Sequence, residues 1–136
     1  MVQQYEIILP EFRRGYHLIT GHVEEQLKNL PEKGLLNLFI KHTSAGLTIN
    51  ENADLSVRVD FEAFMNKLIP ENDPAYSHVM EGADDMPAHL KSSLIGQSVT
   101  IPITRHGLNL GTWQGIYLCE FRNHGGRRKI CVTVVS

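Results

Sequence analysis

Leu36, Leu38 and Ile40 fall on alternate positions, and so do Val99, Ile101 and Ile103. A period of two places each set on one face of a strand. These runs therefore require a sheet with a buried side. Further strand-like runs cover Gln3 to Leu9, Gly15 to Ile19, Leu35 to Lys41, Ser98 to Thr104, Ile116 to Arg122 and Lys129 to Val135. Pro10, Arg105-His106-Gly107 and Gly125-Gly126 interrupt them as turn signals. A helical period appears twice between strands. Val23, Leu27 and Leu30 make one stripe in a helix from Gly21 to about Leu30, with Thr20 as its expected N-cap. Val57, Phe61, Phe64 and Leu68 make another over Leu55 to Leu68 and are the expected buried face of that helix. A short helix is expected after Asp85, with Pro87 in its first turn and Gly96 at its end. The pattern implies an α+β fold, largely antiparallel, with two or three helices in a single compact domain spanning residues 1–136.

The chain carries 13 basic and 15 acidic residues, a formal net charge of -2. That balance gives no basic field for nucleic acid, and no aromatic-basic stripe is present. No apolar stretch approaches the length of a membrane span, and no basic n-region leads an apolar h-region. A cytoplasmic protein is expected. Cys119 and Cys131 lie in two runs joined through Gly125 and would be nearly opposite each other in a hairpin. They read as small buried hydrophobes rather than a disulfide.

The polar density lies elsewhere. His42 to Asp54 joins a strand to a helix, yet carries an imidazole, three hydroxyls, two carboxamides and two carboxylates. Strand parity carries His42 onto the face of Leu36, Leu38 and Ile40. A second polar stretch holds His78, Glu81, Asp84, Asp85 and His89, and Asp85 and His89 would share a helix face. His42, His78 and His89 could hold a catalytic metal with one open position. General acid/base work by His42 or His89, oriented by Asp85 or Glu51, is the alternative. Ser44 lacks the glycine-flanked elbow of a serine nucleophile and suits a hydrogen bond to substrate or backbone. Glu120 and Arg122 share a strand face, as an internal ion pair or with Arg122 on a phosphate.

Four stretches together resemble the YjbQ family: His42-Thr43-Ser44-Ala45; Leu47 to Asn52; Glu81 to His89; and Gly111-Thr112-Trp113-Gln114-Gly115-Ile116. Members are commonly labelled secondary thiamine-phosphate synthase. The resemblance covers nearly the whole chain and implies a homotrimer. It also implies a weak activity joining a pyrimidine methyl diphosphate to a thiazole phosphate, with release of diphosphate. Carried over by position, the implied catalytic groups are His42, Ser44, Asn50, Glu51, Asp85 and His89. The implied substrate contacts are Thr43, Trp113, Gln114 and Arg122. The expected partner is a small phosphorylated metabolite, and the expected cofactor a divalent ion, zinc or nickel on the histidines or magnesium on the carboxylates. One departure is His106-Gly107, where the family often has a glycine and a basic residue; a phosphate there would need Arg105 or Arg122 instead.

Overall fold

The computed structural model describes residues 1–136. Its strands are β1 (Val2–Ile8), β2 (Gly15–Leu18), β3 (Lys33–Ile40), β4 (Ala45–Glu51), β5 (Ser98–Thr104), β6 (Gly107–Leu108), β7 (Gln114–Glu120) and β8 (Lys129–Val135). Its helices are α1 (Thr20–Gln26), α2 (Leu55–Leu68) and α3 (Asp85–Ile95). All pairings are antiparallel, in a five-stranded sheet ordered β1-β8-β3-β5-β6 and a three-stranded sheet ordered β2-β7-β4. The α+β class and the single compact domain expected from the sequence are what the chain forms. No helix is long and apolar enough to cross a membrane.

The two sheets face each other across the main core. Leu36, Leu38 and Ile40 of β3 and Ile101 and Ile103 of β5 meet Ile116 and Leu118 of β7 there. The period-two runs thus bury the faces that their parity assigns. β7 is covered on both sides, because Tyr117 and Cys119 face a second cluster with Tyr16, Ala88 and Phe121. That cluster lies under α2 and α3. The order of layers is therefore five-stranded sheet, three-stranded sheet, then α2 and α3.

Four local expectations are corrected. Ala45–Glu51 is a strand, not a connection, and pairs with β7 from Ala45↔Glu120 to Glu51↔Gln114. Its polar side chains hid the β-branched Thr48 and Ile49. In α2, Phe61 turns inward with Met65, whereas Phe64 and Leu68 are 69% and 66% exposed. The helix bears apolar residues on two sides, and period alone cannot choose between them. Thr20 is inside α1 and accepts from the Ile116 N–H at 2.9 Å, so it ties the helix to β7 rather than capping it. Cys119 and Cys131 belong to different sheets and are free. Asp54, by contrast, caps α2 as its position suggests, accepting from the Ser56 N–H at 2.9 Å.

Candidate functional site

The site is built where α3 meets β4. Asp85 opens α3 and His89 follows one turn later on the same face. Packing of α3 on β4 is fixed by Ser92, whose hydroxyl donates to the Ala45 carbonyl at 2.8 Å. His89 Nδ1 lies 3.0 Å from the Thr43 carbonyl oxygen. A carbonyl only accepts, so the proton belongs on Nδ1 and Nε2 is left facing Asp85 Oδ2 at 3.2 Å. His78, from the turn ahead of α3, brings its own Nε2 to 2.7 Å from the same oxygen. Ligand atoms of His78, Asp85 and His89 lie within 4.8 Å of one another.

A neutral His89 held this way presents its Nε2 lone pair to a carboxylate oxygen. Two electron-rich atoms at that separation require a positive charge between or on them, either a second ring proton or a cation. Arg122 fixes the other side of the carboxylate. Its Nη1 donates to Asp85 Oδ1, its Nε to Asp84 Oδ2 at 2.8 Å, and its Nη2 to the Glu81 carbonyl at 3.1 Å. Asp84 also accepts from the Asn123 N–H at 2.9 Å. Burial pushes the Asp85 carboxyl up, but the His78 hydrogen bond and the charges of Arg122 and His89 outweigh it and hold it below the usual carboxylate range. Burial likewise opposes, and the Asn123 and Arg122 hydrogen bonds override, at Asp84. The Asp84 partnership raises Arg122. Asp85 is thus an anion, 2% exposed, with Oδ2 turned towards two imidazoles.

The other sequence-derived candidates occupy two further places. His42 Nε2 accepts from the Lys129 N–H at 2.8 Å. Burial, then the nearby Arg128 charge, lowers its ionisation, in keeping with that acceptor role. Ser44 Oγ accepts from Arg128 Nη2 at 3.0 Å. Glu120 does not pair with the Arg122 side chain, as its strand parity suggested, because β7 ends at Glu120 and Arg122 bends away to α3. Its partner is Arg128, through Nε–Oε1 at 2.7 Å and Nη2–Oε2 at 2.5 Å, both residues buried. Arg128 is a buried partner that sequence reasoning misses, since nothing in its local sequence distinguishes it from Arg127 beside it. Arg105, the other cation considered for a phosphate, sits in the tight turn between β5 and β6.

Asn50, Glu51, Trp113 and Gln114 gather at the far end of the β4–β7 pair. Asn50 Oδ1 accepts from the Glu51 N–H, and Glu51 Oε2 from the Asp54 N–H at 2.7 Å. Gln114 Oε1 accepts from the Gly111 N–H at 2.8 Å, and Trp113 is 64% exposed. With Ala45 opposite Glu120 and Glu51 opposite Gln114, six rises of about 3.3 Å separate the ends by roughly 20 Å. The chain therefore brings Thr43, His78, Asp85, His89 and Arg122 together, and sets Asn50, Glu51, Trp113 and Gln114 apart from them.

Comparison with known proteins gives the same frame. The UPF0047 protein YjbQ-like family model matches residues 5–136. The UPF0047 protein YjbQ of Salmonella typhimurium is 52% identical over 136 residues, covering 98% of both chains. The crystal structure of a conserved hypothetical protein from Thermus thermophilus, 34% identical, superposes with a TM-score of 0.81 over 93% of this chain and 97% of that one. A YbjQ-like protein of unknown function from Sulfolobus solfataricus, 22% identical, shares the fold with a TM-score of 0.83, over 98% of this chain and 96% of that one. With its motifs, its layers and nearly its whole length matched in this way, the chain belongs to the YjbQ-like UPF0047 protein family.

Proposed function

We propose that His78, Asp85 and His89 hold a divalent transition-metal ion, and that the chain is a small enzyme acting on a phosphorylated metabolite. The observation that carries this reading is the His89 ring. Its Nδ1 lies against the Thr43 carbonyl, and its Nε2 converges with His78 Nε2 on Asp85 Oδ2. Metal-binding histidines commonly donate from one ring nitrogen to a backbone carbonyl, which fixes the ring, and ligate through the other. Two imidazoles with one carboxylate suit zinc or nickel better than magnesium, which prefers oxygen alone. When bound, such an ion supplies Lewis acidity towards a phosphate or diphosphate oxygen.

The chain's own residues set up that chemistry. Arg122 and Asp84 hold Asp85 so that Oδ2 faces the imidazoles. His78 is 46% exposed in its side chain and also lines a cleft of about 300 Å³ with Tyr76, Gly82 and Met86, which is room for a small ligand. The specific transfer that the family resemblance implies, formation of thiamine phosphate, is the first reaction to assay; its support is the resemblance. A homotrimer and a cytoplasmic setting belong to the same proposal. For the trimer, the support is the exposed apolar pair Phe64 and Leu68 on one flank of α2.

The test is elemental analysis of protein purified without a histidine tag. About one equivalent of metal per chain is expected in the wild type and in His42→Ala, and under a tenth of that in His78→Ala/His89→Ala. Equal metal in the double variant would remove these ligands from the reading. Product formation from the pyrimidine diphosphate and thiazole phosphate, lost in His89→Ala, then decides the reaction.

A further inference from the structure

A second cavity, of about 450 Å³, opens between β2 and the N-terminal half of α2. One wall is apolar, with Leu55, Val59 and Ala63. The other carries Arg13, Arg14, Tyr16, His17 and Arg58. Two atoms from residues lining this cavity, the Tyr16 hydroxyl and Arg58 Nε, are the buried side-chain polar atoms of the chain that lack a hydrogen-bond partner. Tyr16 is 6% exposed. An unpartnered buried donor is costly, and native chains rarely tolerate one without a reason. Here both orphaned donors belong to residues that line one cavity.

The charges in the cavity point the same way. Arg14 is engaged: its Nη1 meets Glu71 at 2.5 Å, its Nε meets Glu62 at 3.4 Å, and its Nη2 donates to Asn66 at 2.7 Å. That network also accounts for Glu62, the one carboxylate of the lining. Arg13 and Arg58 have no acidic partner. His17 Nε2 is taken up by the Arg13 carbonyl at 2.6 Å. Among the residues that line the space, Tyr16 carries an unpartnered buried O–H, Arg58 an unpartnered buried Nε–H and Arg13 a guanidinium without an acidic partner, against an apolar wall. Burial pushes the Tyr16 hydroxyl far above its ordinary ionisation, so it remains a donor.

We infer that this cavity binds a small organic anion, its phosphate or carboxylate oxygens taken by Tyr16, Arg58 and Arg13 and its apolar body laid on Leu55 and Val59. A planar guanidinium and a hydroxyl suit an oxyanion of either kind. The site is separate from the His78–Asp85–His89 cluster, with which its lining shares no residue. Its occupancy therefore does not depend on the metal.

Titration calorimetry with phenyl phosphate, benzoate and neutral benzyl alcohol tests the inference on the full chain. Saturable binding of one or both anions is expected at one per chain, with none of benzyl alcohol. Arg58→Met is expected to weaken it roughly tenfold or more, and Tyr16→Phe about three- to tenfold. Tyr16→Phe deletes only the unpartnered oxygen, so the unliganded protein should melt at or above the wild-type temperature, which separates lost binding from lost folding. His78→Ala/His89→Ala should bind the anions as the wild type does. No saturable anion binding, or binding that Arg58→Met and Tyr16→Phe leave unchanged, overturns the inference. Binding abolished only in the histidine double variant does so as well, by placing the anion at the other site.

Discussion

Gly125 has no room for a side chain. A Cβ there would lie 2.6 Å from Glu120 Oε2 and 2.5 Å from its carboxyl carbon. The same carboxylate is clamped by Arg128, and Arg128 also reaches Ser44 at the entry to β4. One buried ion pair thus ties the end of β7 to the starts of β4 and β8. Gly125→Ala should force that pair apart and lower stability by about 3 kcal/mol, read as a shift in the urea midpoint. An unchanged midpoint would mean that the loop yields instead. Asp84 and Asp85 give a second expectation at this scale. Both are held below their unfolded values, so the unfolded chain takes up protons first as the pH falls. Their contribution is fully present above about pH 3.9 and is lost as the pH falls through the lower folded values. Arg122→Met, which removes their shared cation, should flatten the acid limb of stability against pH. A limb that keeps its wild-type slope would contradict that role for Arg122.

α2 shows what periodicity can and cannot assign. Its extent was legible, because a helical period is a local signal. Its inward side was not, because Val57, Phe61 and Met65 compete with Phe64 and Leu68 on one flank and with Leu55 and Val59 on the other, and only the layer beneath decides. That layer is Tyr16 and Phe121, and Phe61 packs against Tyr16 in a tilted pair, 5.4 Å between ring centroids. Phe61→Ala should therefore destabilise the chain by about 2 kcal/mol in chemical denaturation. An effect under about 0.5 kcal/mol, the size expected of a surface change, would contradict the assignment. The strands divide in a similar way. β3 and β5 read clearly because one face of each is apolar at every second residue. β4 was hidden because one of its ends carries polar groups that cap and brace the turn into α2, and those groups read as a connection. The exposed side of α2 carries the expectation for assembly. Phe64→Asp with Leu68→Asp should lower the sedimentation coefficient from that of a trimer to that of a monomer, with the circular dichroism of the fold retained. A wild type that already sediments as a monomer, or a double variant that still forms the trimer, counts against that interface.

In the whole molecule, the three-layer arrangement decides which polar residues can act together. Asp85 with His89 was legible from a spacing of four on one helix. His78 was named with His89 among the candidate ligands, but the position of His42 outside the cluster was not legible, and neither was the separation of Asn50, Glu51, Trp113 and Gln114, which follows from β4 being a strand. The fold thus leaves a compact donor set on the α3 side, and metal linkage is the direct way to read it. A ligand that binds only the folded chain stabilises it by about 2.7 kcal/mol at a hundredfold excess over its dissociation constant. For a domain of this size that is roughly 10 °C in melting temperature. Zinc added to chelator-treated protein should raise the melting temperature by that order, in wild type and in His42→Ala alike. His42 Nε2 is already satisfied by the Lys129 N–H and contributes no atom to the cluster. His78→Ala should remove most of the rise. The rise should also shrink as the pH is lowered from about 7.5 to 5.5, because ligating imidazoles must give up their protons to bind the ion. A zinc response that survives His78→Ala/His89→Ala, or that ignores pH over this range, would place the ion on other residues and leave the His78–Asp85–His89 cluster as a proton-sharing pair of histidines on one buried carboxylate.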